Sequence, residues 1–219
     1  MNQFKSSWQY TFANWKFFLL LALPVIAIES LTGYLVMPLG DMTQPEDFIE
    51  FFESNSLIIA LVGIVGLILQ ISFIGGLWIG FMSIDSGKII NPMSALQAGF
   101  SKFLPLFGAY LIITIVSALG FLMLILPGIY LTARFSLFAA QIMFENNKVF
   151  ESIGASWEKT DEYGSKLFMF TLVFFLLIIS SALLLSNIIP AGIVQTIVLS
   201  LTEYIFVIPI GNIFTLHSI

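Results

Sequence analysis

Apolar residues in this chain fall into six long runs, roughly at 17–37, 57–83, 104–126, 127–144, 167–187 and 189–211, with polar residues gathered between them. Each run approaches or exceeds the ~20 residues a helix needs to cross a hydrocarbon core of ~30 Å. Inside the runs, apolar positions do not alternate with polar ones, which excludes a transmembrane barrel. Helices are then the remaining way to satisfy every backbone amide in lipid. The pattern predicts an all-α polytopic membrane protein, with six transmembrane helices forming one integral membrane domain over 1–219.

The polar positions orient this bundle. Threading the runs alternately places Lys5, Lys16, Lys88, Lys102, Lys148, Lys159 and Lys166 on one side and no Lys or Arg on the other. By the positive-inside rule that side is the cytoplasm, with both termini cytoplasmic and the protein in a bacterial inner membrane. Composition agrees: 58% of residues are hydrophobic and 10% charged, against about 25% charged in soluble domains. The net charge of −5 comes largely from Asp41, Glu46, Asp47, Glu50 and Glu53 in the first outward loop. No basic patch supports nucleic-acid binding. The absence of cysteine excludes disulfides and thiolate chemistry. Lys5 and Lys16 before the first run resemble a leader, but no small-residue cleavage site follows and Glu29 interrupts the end of the run, so it is read as a retained signal anchor.

Between the spans, Pro127-Gly128 reads as a tight outward turn and Ser186-Asn187 before Pro190 as another. Thr43 with Glu46 three residues on reads as a helix start. Phe48, Ile49, Phe51 and Phe52 then oppose Glu50 and Glu53, which predicts a short amphipathic helix on the outer interface. Its carboxylates, spread along a helix, do not converge as calcium ligands must. On the cytoplasmic side three amphipathic segments precede spans one, three and five: Ser7-Trp8 to Lys16-Phe17, Gly99-Phe100 to Lys102-Phe103, and Ser156-Trp157 to Lys166-Leu167. They predict short interfacial helices and three helix-plus-hairpin repeats, with Trp8, Trp15 and Trp157 anchored at the headgroups.

Candidate chemistry is sparse. Glu29, Arg134 and Glu203 fall inside spans, where ionisable residues are costly and mark functional candidates. At 1.5 Å per residue, Glu29 lies roughly 20 Å from the inner interface and Arg134 about 10 Å below the outer one, a shared level, with Glu203 deeper. Two readings compete: a buried Glu29–Arg134 pair that fixes helix packing, or a ligand site in which Arg134 holds a phosphate and Glu203 a cation or proton. Ser72, Gly76 and Gly80 at four-residue spacing predict a close helix-packing face, within the chain or between copies. Pro24, Pro105 and Pro209 are potential kinks, and His217 is read as an exposed tail residue. No metalloprotease, nucleophile-elbow or nucleotide-loop motif is present, so the expectation is a non-enzyme without cofactor or metal.

The stretch Leu126-Pro-Gly-Ile-Tyr-Leu-Thr-Ala-Arg134-Phe-Ser-Leu-Phe-Ala-Ala, followed by Glu145 and by Glu151-Ser-Ile-Gly-Ala-Ser-Trp157, resembles the YciC-like inner-membrane proteins of bacteria. It also resembles the membrane module fused to some glycerophosphodiester phosphodiesterases. The shared features are a Pro-Gly turn opening a span, a small-residue helix, an acidic residue near the membrane exit and a Ser-Trp cytoplasmic helix. Here they fall on Pro127, Gly128, Arg134, Glu145, Ser156 and Trp157. The resemblance implies a multi-pass cytoplasmic-membrane protein tied loosely to envelope and phospholipid biology. The phosphodiesterase domain has no counterpart here, so its activity is not carried over. The expected role is non-enzymatic support of envelope or lipid organisation, with membrane lipids or a membrane protein as partners. The alternatives are a small transporter or lipid translocator using Arg134 with Glu29 and Glu203, and an accessory subunit of a membrane complex.

Overall fold

The computed structural model describes residues 2–215, so His217 lies outside the described residues. These residues form ten α-helices and one 3-10 turn, with no strand among them: α1 (Asn2–Ala13), α2 (Trp15–Val36), the turn Met37–Gly40, α3 (Pro45–Asp85), α4 (Pro92–Ser101), α5 (Phe103–Met123), α6 (Ile125–Arg134), α7 (Phe138–Glu145), α8 (Val149–Lys159), α9 (Gly164–Ile188) and α10 (Ile193–Thr215). Six segments are long and apolar enough to cross a membrane: α2 with its turn, α3, α5, α6 with α7, α9 and α10. This is a multi-pass membrane protein. The short helices α1, α4 and α8 each precede a hairpin of such segments.

Three of the predicted boundaries move, the smallest shift being the turn expected at Ser186-Asn187, which lies within α9 while the chain reverses over 189–192. The outer amphipathic segment is not a separate helix: it is the first part of α3, whose 41 residues extend ~61 Å, about twice a hydrocarbon core. Gln44 rather than Thr43 occupies the N-cap position, without a side-chain cap bond, and Pro45 is the first helical residue, where the missing N–H has no intrahelical partner to lose. No glycine or proline interrupts the passage from Glu53 to Leu57, so nothing turns the chain onto the surface. Along its first half α3 turns one half-buried stripe, Phe51, Asn55, Ile59, Val62 and Gly66, inward, while Leu57, Leu61 and Ile64 stay exposed.

The second shift is the outward turn after α5. It is made by Leu124 alone, in extended conformation (φ −163°, ψ 153°), and Pro127 and Gly128 lie within the first turns of α6. Proline fits there because the first amides of a helix are unpaired in any case. Gly128 serves contact rather than reversal: a Cβ on Gly120 would stand 3.0 Å from the Gly128 Cα, and one on Gly128 would enter the ring of Phe121.

Two apolar cores share α3 as a wall. One joins α2, α3 and α10 around Phe18, Leu21, Val25, Phe73, Phe81 and Ile208. The other joins α3, α5 and α7 around Ile71, Trp78, Leu106, Ala109, Leu137 and Ile142. Small residues bring α4 against α3. A Cβ on Gly76 would sit 2.9 Å from the Ala95 carbonyl oxygen, and one on Gly75 2.7 Å from the Gly99 Cα. A Cβ on Gly80 would instead meet the Phe17 ring of α2, at 2.6 Å. The Ser72, Gly76 and Gly80 face thus meets two helices of this chain.

At its end, α1 is tied down by polar and aromatic contacts. The Ser7 hydroxyl donates to the Pro209 carbonyl, and Tyr10 donates to the Phe81 carbonyl at 3.3 Å. Burial, with the Asp85 carboxylate beside it, pushes the Tyr10 phenol above its ordinary pKa. Trp8 stacks on Phe174 of α9 and meets Phe206 of α10 edge-on, with centroids 6.1 and 5.7 Å apart.

Candidate functional site

The three intramembrane charges do not converge. Arg134 ends α6, and the helix breaks over 135–137 before α7 resumes. Such a break frees backbone groups, and α8 takes them up. The Ser156 hydroxyl accepts from the Leu137 N–H (3.1 Å) and donates to the Arg134 carbonyl (3.0 Å).

The guanidinium of Arg134 turns the same way. Its Nε donates to Thr160 Oγ1 (3.1 Å), Nη1 to the Tyr130 hydroxyl (2.9 Å), and Nη2 to the Trp157 carbonyl (2.7 Å) and Asp161 Oδ1 (2.8 Å). The Trp157 ring lies 4.1 Å from the guanidinium carbon, within cation–π range. Four hydrogen bonds and an aromatic face engage nearly all of the five donors that arginine has. The expected Glu29–Arg134 pair does not form; the ion pairs among the described residues are Arg134–Asp161 and Lys159–Glu145. Arg134 lies beside Gly164, the first residue of α9, whereas Glu29 bonds Tyr204, next to Glu203, whose cavity is lined by Ile178 and Ser181 much further along α9, so the expected shared level does not hold.

Glu29 instead belongs to a polar cluster between α2, α3 and α10. The Tyr204 hydroxyl lies 2.8 Å from Glu29 Oε1 and 2.9 Å from Gln70 Oε1. A phenol donates one proton; with that proton on Glu29, the Gln70 amide completes the set by turning its NH2 to the phenol oxygen. Glu29 Oε2 is buried without a hydrogen-bond partner. Sequence reading missed Gln70 and Tyr204, although a glutamine in the middle of an apolar run is a visible signal. Glu203, next to Tyr204 in α10, is exposed beside a small cavity of about 130 Å³ lined by Ser181, Ser200 and Thr202.

A larger cavity lies elsewhere. A groove of about 440 Å³ runs between the α1–α2 corner and α10, lined by Phe12, Trp15, Leu19, Ile26, Ile205 and Ile208 among others. Its hydroxyl groups are already engaged: the Thr11 hydroxyl donates to the Ser7 carbonyl at 3.0 Å, and Tyr204 is held as above. The volume lies in the range of small-molecule sites, and apart from the Trp15 indole N–H at its exposed end the lining offers no free polar side chain to orient a polar ligand.

No family model matches the chain, and no curated protein or solved structure does either.

Proposed function

We propose that this multi-pass membrane protein is non-enzymatic and works by holding lipid, supporting the organisation of a bacterial cytoplasmic membrane in which both termini face the cytoplasm. The observation that carries this reading is the groove between α1–α2 and α10: an apolar concavity on the surface of the spanning helices, whose one free polar side-chain group is the Trp15 indole N–H at its exposed end. The resemblance of 126–157 to YciC-like proteins supports an envelope role. The charge asymmetry supports the orientation. A translocation route through Arg134 with Glu29 and Glu203 loses its premise, since Arg134 is engaged by α8 and the two glutamates lie in other clusters.

The test is native mass spectrometry of the gently solubilised protein, wild type beside Ile205→Trp, which fills the groove from an exposed wall position. One phospholipid retained by wild type and lost by the folded variant is the expected result. Bare protein in both sinks the reading.

The accessory-subunit alternative has one observation in its favour, the exposed Glu203 carboxylate on the outer surface of a spanning helix. Exposed carboxylates in spans ordinarily face a partner or water. Photo-crosslinking from position 203 in membranes tests it, and adducts to lipid alone count against it.

A further inference from the structure

Resting on that lipid-holding reading, we infer that the groove takes one acyl chain of an anionic glycerophospholipid from the leaflet on the α1 side, with the headgroup phosphate on Lys16.

Three observations fix this occupant. The first is depth. The α2 wall runs from Trp15 to Ile26, a rise of ~16 Å at 1.5 Å per residue. Half of a ~30 Å hydrocarbon core is about the same. The groove is therefore as deep as one leaflet, the reach of a chain that starts at the headgroups.

The second is the chemistry of its two ends. At the deep end Tyr204 presents its ring, because its hydroxyl is turned to Glu29 and Gln70. A chain terminus meets carbon there. At the shallow end Trp15 is half exposed and Lys16 is exposed, with the ammonium 5.9 Å from the Trp15 ring. Trp and Lys together are suited to the headgroup level.

The third is charge. Residues 1–28 contain Lys5 and Lys16 and no Asp or Glu. Among the described residues no carboxylate pairs with Lys16. An ammonium left without a counter-ion beside an apolar slot selects a phosphate whose headgroup brings no cation of its own. A zwitterionic lipid would place a second ammonium beside Lys16.

The experiment reconstitutes the full chain in nanodiscs holding equal amounts of phosphatidylglycerol and phosphatidylcholine, then counts lipids retained on release in the mass spectrometer. One lysine near the surface corresponds to about a fivefold preference, so wild type is expected to keep one lipid, enriched about fivefold in phosphatidylglycerol. Lys16→Gln keeps one lipid with the enrichment gone, Lys16→Arg restores it, and Ile205→Trp keeps none. Retention without headgroup preference in wild type, or a preference unchanged in Lys16→Gln, overturns this inference and leaves the lipid-holding reading intact. No lipid on wild type, or equal retention by folded Ile205→Trp, overturns both.

Discussion

Arg134 and Asp161 meet at 2.8 Å, the guanidinium side chain 4% exposed and the carboxylate side chain 77% exposed. The pair is lopsided: a buried cation leans on an acid that water already solvates. Screening leaves such a contact little Coulombic value. What compensates the buried guanidinium is its set of bonds to Tyr130, Trp157 and Thr160 and the indole face.

Arg134→Ala is therefore expected to destabilise by about 3 kcal/mol, through groups left without their donor. Asp161→Asn should cost under about 1 kcal/mol. Adding Glu29→Ala to Arg134→Ala should restore nothing, because distant sites without shared partners add. Denaturation of the purified variants in one detergent decides this. A rescue by Glu29→Ala would mean that the two charges are coupled after all.

The α3–α4 crossing is backbone against backbone. Gly99→Val pushes a side chain into the Ser72 carbonyl, and Gly76→Val pushes one into Ala95. Each should cost at least about 1–3 kcal/mol as overpacking and lower the yield of folded protein. Gly63, on the same helix, has open space around its Cβ position. Gly63→Ala should be neutral or stabilising by up to about 1 kcal/mol, which makes it the internal control.

Tyr204→Phe removes the group shared by Glu29 and Gln70. Stranding those partners should cost about 1–3 kcal/mol. The triple variant with Glu29→Leu and Gln70→Leu should recover part of that loss, since replacing every polar member avoids orphaned groups. Thermal melts of the two variants compare them directly. A triple variant no better than the single one would argue that the cluster has a positive structural role beyond mutual satisfaction.

A continuous α3 has a measurable length. Spin labels at positions 47 and 85, 38 residues apart, should report about 57 Å between backbones. An amphipathic segment folded onto the surface would shorten the distance by well over 10 Å. The chain has no native cysteine, so both sites can be labelled without further changes.

Because the folded state raises the Tyr10 phenol above its ordinary value, its contribution to stability is present below about pH 10. It is lost as pH rises further, where the unfolded chain ionises first. The alkaline limb of a stability–pH curve should therefore be shallower in Tyr10→Phe. An unchanged limb would assign the loss to other tyrosines.

The six spans were legible because the length and continuity of apolar runs are one-dimensional properties, and the membrane turns them directly into helices. The Leu124 turn was misplaced because Pro and Gly punctuate helices at their first turns as well as between them, and only the contact of Gly128 with Phe121 tells which applies. The pairing of Arg134 was misread for a related reason. Counting residues gives depth only along a continuous span, whereas Arg134 ends a short helix that brings it beside the first residue of α9, away from the level of Glu29. Arg134, Ser156 and Trp157 share one cluster, a proximity that the sequence reading did not foresee.

The broken fourth segment also constrains how the chain is made. It is the least hydrophobic of the six and the most enclosed by its neighbours, so an insertion machinery that samples one segment at a time gains least from releasing it into lipid. Asp161 is 27 residues downstream of Arg134. At about 5–20 residues per second of synthesis, the guanidinium waits roughly one to five seconds before its acceptors exist. During that interval the close contact of Gly120 with Gly128 can already hold α5 and α6 as a hairpin. Assembly of this half of the bundle is then ordered by the ribosome, with the arrival of the Ser156–Asp161 turn as the step that commits it.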